Sequence, residues 1–480
     1  MMRKFILALI LCASVFSLCA FAEIIPEKAT LTYDKYDLNE DGVFDDMVYE
    51  LSTKEQLYWF ANAVNNGQGH INAILVNDIA VNENLLSRLS VSDGLTAVLK
   101  EGQTAETWLC TGTFRGVFDG RGHTISGLYF NGTAENKNGS GFFSSVDSAV
   151  VRNLNVADSY FSAVGYPVGG IAGKASKAVI ENCTFDGISR ISETTVAGGI
   201  CGETSSGSIV RYCKNYGDVF GYGNVHNPVG GICGRNGSAS LVTCCSNDGA
   251  VSGRGNETYV GGIVGFNYGT IDYCYNTGTT SSNGICTVHF QGVVNNSYNV
   301  GVAKLGIGGY TTIDDENGYV TNCYWLNSVS NAGYRGDTAG VSEGKSEEYM
   351  KSSAFLEKLS AGSTGIWQQK EGEYPTLVPM EMSRLSVNEN ATSDTTGHIY
   401  SVTSGGIVFA SDEAGATFIV IYSDYEGNKQ NSVKFYTAVA RDAATKYAAP
   451  MNSSLSTGDK IIIIKSTSSM TPICKEYTIE

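Results

Sequence analysis

An acidic segment near the N-terminus has the spacing of a calcium-binding loop. Asp37, Asn39, Asp41, Val43 and Asp45 occupy alternate positions, and a glycine follows the third of them. Carboxylate, amide and carbonyl oxygens in this pattern can converge on one hard cation, and the glycine permits the sharp turn. The twelfth position carries no Glu, so the loop would not be an EF-hand. The sequence predicts a structural Ca²⁺ site at these five residues; the alternative is a solvated acidic turn.

The segment 112–128 holds the one pair that suggests acid–base chemistry, Asp119 and His123. General acid–base catalysis needs such a group beside a second carboxylate or a nucleophile, and none accompanies this pair. An Asp-Gly turn and a histidine at a chain corner explain the two residues without catalysis. No HExxH zinc motif, GxSxG elbow or Ser/His/Asp grouping occurs, and we therefore predict no catalytic residue.

The elements that position these residues are organised by an internal repeat. The phrase Gly-Gly-Ile-x-Gly starts at Gly169, Gly198, Gly230 and Gly261, at intervals of 29, 32 and 31 residues, and a degenerate copy follows. Each copy is followed by the pattern apolar-x-x-Cys-x-Asn-x-Gly, with Phe185 at the Asn place after the first copy. A period in this range is the signature of a stacked array. Short apolar runs bounded by Gly, Asn and Ser indicate strands and turns rather than helices.

Stacking places equivalent positions of the repeat in columns, each turn adding about 4.8 Å along the axis. The first cysteine column, of small apolar residues, consists of Ala172, Cys201, Cys233, Val264 and Cys286. The second cysteine column consists of Leu154, Cys183, Cys213, Cys245, Cys274, Ser297 and Cys323. The asparagine column consists of Asn215, Asn247, Asn276 and Asn299. We expect the asparagines to adopt the left-handed conformation at corners and their amides to bond along the column.

The cysteine columns favour free thiols over disulfides. Of 13 cysteines, Cys12 and Cys19 fall in the N-terminal apolar segment, which leaves 11. Column neighbours about 4.8 Å apart have parallel Cβ vectors, whereas a disulfide needs Cβ atoms roughly 3.5–4.5 Å apart that face each other. No CxxC pair with a histidine partner indicates zinc. We expect buried thiols, with disulfides as the alternative that export would favour.

Flanking segments are predicted to close the array. A helix is expected over 51–65, capped at Ser52 or Thr53, and it would cover the bare strand edge of the first coil. Residues 80–108 lack a pattern and are interpreted as an insertion. After the array, a helix is expected over 346–359, followed by Trp367 and the run from Tyr374 to Leu377, whose aromatics are expected to cap the last coil rather than bind sugar.

The predicted fold class is all-β: a right-handed parallel β-helix with an N-terminal capping helix, followed by a small Ig-like β-sandwich. Residues 1–22 read as a signal peptide, with a positive end, an apolar run and a small-x-small cleavage site. Residues 23–50 form the acidic lead-in with the Ca²⁺ loop. The β-helix is assigned to 51–380, and alternating strands with a hairpin turn at 424–427 assign the sandwich to 381–480.

These combined motifs resemble the GLUG-repeat surface proteins of bacteria. The resemblance rests on the helix, the Asn77-Asp78-Ile79 strand end, the Gly-x-Phe-Asp-Gly-x-Gly-His run and the array, and it covers about 50–378. It implies an exported, cell-surface or matrix-associated β-solenoid. In immunoglobulin-A-cleaving peptidases the repeat is an accessory module. The C-terminal segment resembles terminal sandwich modules of secreted proteins from Gram-positive anaerobes, and no LPxTG-like sorting signal follows it.

Composition narrows the function classes. The net charge is −16, or −18 once Arg3 and Lys4 leave with the signal segment, and there is no Lys/Arg cluster. Nucleic acid and anionic membranes are therefore disfavoured as partners, and no transmembrane segment is predicted. We predict a secreted or cell-surface adhesin-like scaffold that binds a glycan or protein on a host or bacterial surface, with tyrosines as stacking surfaces. A polysaccharide lyase or hydrolase, and a purely structural wall protein, are the alternatives.

Overall fold

A computed structural model gives the structure of the protein. It describes residues 24–32 and 47–380, apart from gaps at 93–95, 133–138, 193–195, 223–226, 255–257, 290–291, 310–318, 331–332, 334–341 and 361–364, and seven strands between 398 and 478. The predicted signal peptide and all five predicted Ca²⁺ ligands, Asp37, Asn39, Asp41, Val43 and Asp45, lie outside the described residues.

The middle of the chain is a β-solenoid of about 6 turns, built from parallel strands that form three long sheets. Sheet A consists of Thr30–Thr32, Val48–Leu51, Asn72–Leu75, Val117–Asp119, Val150–Arg152, Val179–Glu181, Ile209–Arg211, Leu241–Thr243, Thr270–Asp272, Val293–Asn295 and Tyr319–Thr321. Its first strand alone pairs antiparallel. Sheet C consists of Thr113–Phe114, Phe143–Asp147, Ala172–Ser176, Cys201–Ser205, Cys233–Asn236, Val264–Asn267 and Cys286–His289.

Sheet B follows sheet A in each turn, and a small sheet D leads into sheet C of the next. Sheet B consists of Ile79–Ala80, Thr124–Ser126, Tyr129–Asn131, Asn155–Val164, Thr184–Ser192, Lys214–Asn215, Asp218–Tyr222, Ser246–Asn247, Val251–Arg254, Tyr275–Asn276, Tyr298–Asn299, Cys323–Leu326 and Ser342–Lys345. Sheet D consists of Ala197–Gly198, Asn227–Gly230 and Thr258–Gly261. The expectation of an all-β solenoid is confirmed.

The predicted register of the repeat is confirmed. In sheet C, Ala172, Cys201, Cys233, Val264 and Cys286 are successive partners across neighbouring strands. The second cysteine column stacks where sheet A turns into sheet B, and its members are buried inside the solenoid. Small side chains are needed there because the chain bends sharply, and volume must match from turn to turn in a close-packed core.

The asparagine column forms a buried amide ladder, as predicted. Asn215, Asn247 and Asn276 each donate through Nδ2 to the Oδ1 of the next asparagine at 2.7 Å, and the ladder ends at Asn299. Each amide also donates to the carbonyl of the glycine two residues later, at 2.8–2.9 Å. The buried amides are therefore paired both along the axis and within their own turn, which a buried polar group requires.

The expected left-handed conformation of these asparagines is wrong. The positive φ angles occur one position before the second cysteine column, at Asn153, Asn182, Tyr212, Cys244, Tyr273, Asn296 and Asn322, with φ of 48–54°. The chain turns the corner between sheets A and B there, so that corner takes the left-handed residue. The side chains of Asn182 and Asn322 donate to the preceding corner asparagines at 2.8 and 2.7 Å, which explains why asparagine is frequent at a place that Tyr and Cys also occupy.

In the second, third and fourth repeat phrases the second glycine lies against the amide ladder across the core, whereas Gly170 of the first phrase lies against the ring of Phe185. A Cβ built on Gly231 would be 2.4 Å from Cγ of Asn247 and 2.1 Å from the carbonyl oxygen of Gly262. Gly199 and Gly262 contact Asn215 and Asn276 in the same way. The two halves of the repeat are thus complementary: the glycine leaves the space that the planar amide fills.

The ladder ends at an aromatic side chain. Trp325 stands opposite Asn299 in the next strand, where the column would continue. Its indole contacts Gly306, Gly333 and Gly344 so closely that a Cβ on the first two would lie 2.1 Å from ring atoms. Trp325 therefore fills the last turn of the core with apolar surface instead of an amide.

The predicted N-terminal helix begins at Lys54 and ends at Asn65. Thr53 accepts from the amide of Gln56, which confirms the predicted cap, and the Gln56 side chain accepts in return from the amide of Ser52. Phe60 is buried among aromatic rings at 5.5–6.1 Å from the first turns of the solenoid. Burial of such a ring contributes about 1.5–3 kcal/mol.

The described part of the segment interpreted as an insertion packs on the outside of sheet B. It contains a 3₁₀ helix at Leu86–Arg88 and a hairpin of Leu89–Ser92 and Thr96–Leu99. Its apolar side chains cover Tyr160. Asp158, at a bulge in sheet B, accepts from the amides of residues 85 and 86 at 2.6 and 2.9 Å and so anchors the insertion.

The segment after the array packs on the side of the solenoid. The predicted helix over 346–359 is two helices, Glu347–Met350 and Ser353–Leu359, because Ser352 caps the second. Trp367, in a hairpin of Trp367–Gln368 and Thr376–Leu377, contacts Tyr275 and Tyr298 on the outer face of sheet B. The aromatics are therefore packing residues, but they cover a flank over several turns and not only the last coil.

The C-terminal strands form two antiparallel sheets. One consists of His398–Val402, Gly406–Ala410 and Lys446–Pro450, and the other of Thr417–Glu426, Lys429–Val439, Lys460–Ser466 and Ile473–Thr478. The hairpin turn predicted at 424–427 is displaced, since Asp424 to Glu426 belong to a strand with a register shift after Asp424. No helix of the described chain is long and apolar enough to span a membrane.

The ten cysteines from Cys110 to Cys323 are free and buried. We therefore expect their thiols to react slowly in the folded protein. Burial raises the pKa of the Cys110 and Cys323 thiols to about 12. Because the thiolate is the nucleophile, we expect a chain that starts at Glu23, with 11 cysteines, to protect ten of them from Ellman's reagent at pH 8 until it is unfolded. Rapid labelling of two or more in the native state would contradict this, and Ser238→Cys, at an exposed position, is the positive control.

Candidate functional site

The outer face of sheet A carries a ladder of charge pairs that includes Asp119. Arg152 Nε lies 2.9 Å from Asp119 Oδ2, and in the following turns Arg211 Nε donates to Glu181 Oε2 at 2.7 Å. Asp119 is 8% exposed and also accepts from the backbone amide two residues later. Its oxygens are thus engaged in holding the corner, which agrees with the interpretation of Asp119 as a turn residue.

The structure places His123 in a different contact. Its Nδ1 lies 3.2 Å from Asp78 Oδ1, which also accepts from the Thr124 amide at 2.8 Å. This amide hydrogen bond, with a smaller effect from His123, lowers the pKa of Asp78. Asp78 is highly exposed, so the pair fixes one corner of the surface. Asp119 and His123 are not joined by any contact in the described structure.

A cleft of about 490 Å³ lies between the N-terminal helix and the insertion. Arg88, in its wall, donates to the backbone carbonyls of Glu83 and Thr104. Asn82 donates to the carbonyl of Gly127 at 2.7 Å and accepts from the amide of Glu106 at 2.7 Å. The bond to Gly127 joins the insertion to the solenoid and the other bonds hold the insertion together, so the cleft is explained as a structural junction.

A cluster of aromatic side chains lies on the outside of the solenoid in its fourth repeat copy. The Phe266 ring centroid is 5.7 Å from that of Tyr259 and 4.8 Å from that of Tyr268. Tyr268 is 38% exposed. We call Tyr259, Phe266 and Tyr268 the aromatic cluster. The sequence analysis predicts binding by tyrosines in general and does not single out this group. The spacing Tyr…Phe-x-Tyr around the Gly-Gly-Ile phrase is the sequence signal that could have identified it.

The strands around it explain why the cluster faces outward. Val264 and Asn267 point into the core, so Phe266 between them points out. In neighbouring turns the same outward position carries Glu203 and Arg235, which pair at 3.1 Å. The cluster therefore adjoins charged groups on a rigid sheet, an arrangement that combines apolar ring faces with hydrogen-bonding groups.

Most other tyrosines of the solenoid serve packing. Tyr275 and Tyr298 stack at 5.3 Å beneath the C-terminal flank, and Tyr160 is covered by the insertion. Tyr216 is 47% exposed, with the Lys214 ammonium 4.5 Å from its ring centroid. Over the described ranges no group of three or more His, Cys, Asp or Glu side chains is arranged to hold a metal ion.

Comparisons with known proteins find one repeat motif and weak similarity to solved structures. The GLUG motif matches residues 256–281, the repeat copy that holds the aromatic cluster. A solved structure titled IgA1 Protease is similar with a TM-score of 0.34 and 14% identity, over 70% of this chain and 26% of that chain. The chain thus spans about a quarter of that protein.

A second solved structure is the enzymatically active domain of tailspike protein 4 from bacteriophage CBA120. It has a TM-score of 0.23 and 10% identity, over 94% of this chain and 71% of that chain. No curated protein matches the chain.

Proposed function

We propose that the protein is a secreted or cell-surface scaffold without catalytic activity, which binds glycans on a host or bacterial surface through the outer faces of its solenoid. The observation that carries this proposal is the aromatic cluster. Aromatic side chains combine a large apolar face with a polar edge, and tyrosine keeps this surface at low conformational cost. A stacked array holds such surfaces at fixed spacing, which suits repetitive ligands.

The contacts of the acidic groups support a binding role over a polysaccharide-degrading one. Hydrolysis of a glycosidic bond ordinarily uses two carboxyl groups that face each other across a substrate groove. Asp119 and Glu181 instead pair with arginines of neighbouring turns, and Asp248 pairs with Lys214 at 3.0 Å. The lyase or hydrolase remains the competing hypothesis, and the same assay decides between them.

Several finer features belong to this proposal. We infer that the helix Lys54–Asn65 covers the N-terminal end of the solenoid, which would be right-handed, and that the two C-terminal sheets form a sandwich. Residues 1–22 would direct export. A structural Ca²⁺ held by the 37–45 segment would fix the N-terminal lead-in, and binding is therefore measured both in Ca²⁺ and in chelator.

Replacing the exposed ring of the cluster tests the proposal. On an array of neutral and acidic oligosaccharides and mucin, we expect the chain from Glu23 onward to bind at least one class. We expect Tyr268→Ala to weaken the Kd roughly fivefold to tenfold, because an aromatic contact contributes about 1–1.5 kcal/mol.

Tyr216→Ala is the matched control, since Tyr216 is at least as exposed but follows the strand Lys214–Asn215, outside the cluster. It should leave the Kd within about twofold, in keeping with the small effect of most surface changes. Absence of binding to every probe would contradict the proposal. New reducing ends or unsaturated products would replace it with the enzyme hypothesis.

A further inference from the structure

One arginine of the solenoid lacks the partners that the others have. Arg190 lies on the strand Thr184–Ser192 of sheet B, and its Nε and Nη1 are shielded from solvent without a hydrogen-bond partner in the described chain. Arg152, Arg211 and Arg235 each pair with a carboxylate of a neighbouring turn. With 48 Asp and Glu against 32 Lys and Arg in the protein, an arginine whose Nε and Nη1 are shielded without any hydrogen-bond partner stands out.

An aromatic ring holds this guanidinium in place. Arg190 Cζ lies 5.3 Å from the ring centroid of Phe220, its register partner in the next turn. Stacking on a ring is a favourable contact for a guanidinium, but it leaves the in-plane N–H donors available. Because no hydrogen bond fixes Nε or Nη1, the side chain can turn toward an incoming acceptor without breaking one.

The surrounding outer face adds further ligand-binding groups. Tyr222 lies two residues after Phe220 on the same face and is 37% exposed. Its register partner in the next turn is Arg254, which is exposed. Ser162 and Ser252 occupy the Arg190 column in the flanking turns. The face therefore combines the Arg190 guanidinium with two aromatic rings and the Ser252 hydroxyl on parallel strands of one rigid sheet.

We propose that this face, defined by Arg190, Phe220 and Tyr222, binds the carboxylate of an acidic sugar. Arg190 donates two parallel hydrogen bonds to the carboxylate, for which the planar guanidinium is well matched, and Tyr222 contacts the sugar ring. The inference rests on the proposed function and names its ligand class as uronate-type glycans.

The test uses one polymer in two charge states. Binding of polygalacturonate and of its fully methyl-esterified form to the chain from Glu23 onward is measured by calorimetry. We expect the acid form to bind about tenfold or more tightly than the ester, with affinity that falls as salt is raised. Arg190→Met keeps an apolar chain on Phe220 but removes the donors, and it should abolish this preference.

Two further measurements make the outcome specific. Arg190→Met should retain or raise the Tm, because it removes unsatisfied buried donors, so loss of binding would not reflect unfolding. Arg115→Met is the matched control, since Arg115 is paired with Asp147 at 3.3 Å and lies outside both sheet B and the aromatic cluster, and it should leave the preference for the acid unchanged.

Each other result overturns the inference in a recognisable way. Equal binding of acid and ester, or an unchanged preference in Arg190→Met, removes the assignment to this face while the glycan-binding function stands. Failure of the wild-type chain to bind either polymer also removes it. If the oligosaccharide and mucin array is negative as well, the proposed function fails with it.

Discussion

Replacement of Gly231 by alanine is expected to unfold or severely destabilise the solenoid. The new Cβ would lie 2.1 Å from the carbonyl oxygen of Gly262 and 2.4 Å from Cγ of Asn247, and neither neighbour can move without disturbing the ladder. We expect a loss of ~4 kcal/mol or more in the free energy of unfolding, in the range of the most damaging core substitutions. All four tryptophans, at 59, 108, 325 and 367, lie outside the C-terminal segment, so tryptophan fluorescence in urea reports on the solenoid.

Gly122→Ala separates steric contact from the loss of glycine. Gly122 has a φ of +82° with no atom within 4 Å of its Cβ position, so alanine there costs only the left-handed backbone conformation, about 1–2 kcal/mol. A loss in Gly231→Ala no greater than in Gly122→Ala would show that the glycine–amide contact across the core is unimportant.

Removal of one rung of the amide ladder is the second large effect. Asn247 accepts from Asn215 and donates to Asn276 and Gly249, and its side chain is fully buried. In Asn247→Ala, the buried Nδ2 of Asn215 loses its acceptor and the buried Oδ1 of Asn276 loses its donor. At roughly 1–3 kcal/mol for each orphaned group, we expect a loss of about 3 kcal/mol, measured as the shift of the urea midpoint at constant m-value.

A second asparagine and a double variant complete this test. Asn155→Ala changes a half-exposed asparagine of sheet B whose amide donates to the Gly122 carbonyl, and it should cost about 1 kcal/mol or less. If the ladder acts as one network, Asn247→Ala and Asn276→Ala together should cost less than the sum of the single losses. Strict additivity would mean that each asparagine acts alone.

The register was predictable from the sequence because each column tolerates few residue types. Ala172, Cys201 and Cys233 had to stack once the Gly-Gly-Ile copies were aligned, since a one-residue slip would turn core side chains outward. The ladder of Asn215 and Asn247 followed from the same alignment. In a parallel array, equivalent residues of successive turns are register partners. The repeat alone therefore predicts these contacts.

Contacts between non-equivalent positions were not predictable in this way. Nothing in the spacing shows that Gly231 faces Asn247, because that contact depends on the cross-section of the turn. The left-handed corner was assigned to the wrong asparagines, since the sharpest bend lies before the cysteine column. A second ladder was missed, in which Thr204 and Asn236 bond to the next turn at 2.8 Å. Its first member is not an amide, which obscured the pattern.

The candidate binding groups were the least accessible to sequence reasoning. Tyr268 and Tyr160 are the same residue type, yet one is exposed and the other lies beneath an insertion whose sequence has no periodicity. Arg190 can be identified as a candidate binding residue only because its register partners in neighbouring turns are not carboxylates. Those partners are known only once the pairing of strands distant in sequence is known. Which side chains are exposed and able to bind a ligand could therefore be read only from the folded structure.

The complementarity of glycine and amide has a consequence for how the gene for such a protein can change. Because Gly231 meets Asn247 of its own turn, a turn carries both halves of the contact and does not depend on which copy precedes it. Duplication or deletion of one whole copy would lengthen or shorten the molecule by about 4.8 Å and leave both neighbours correctly matched. Unequal copy lengths are absorbed in the connecting loops. The length of the solenoid is thus a property that recombination can adjust in steps, independently of whatever the outer faces bind.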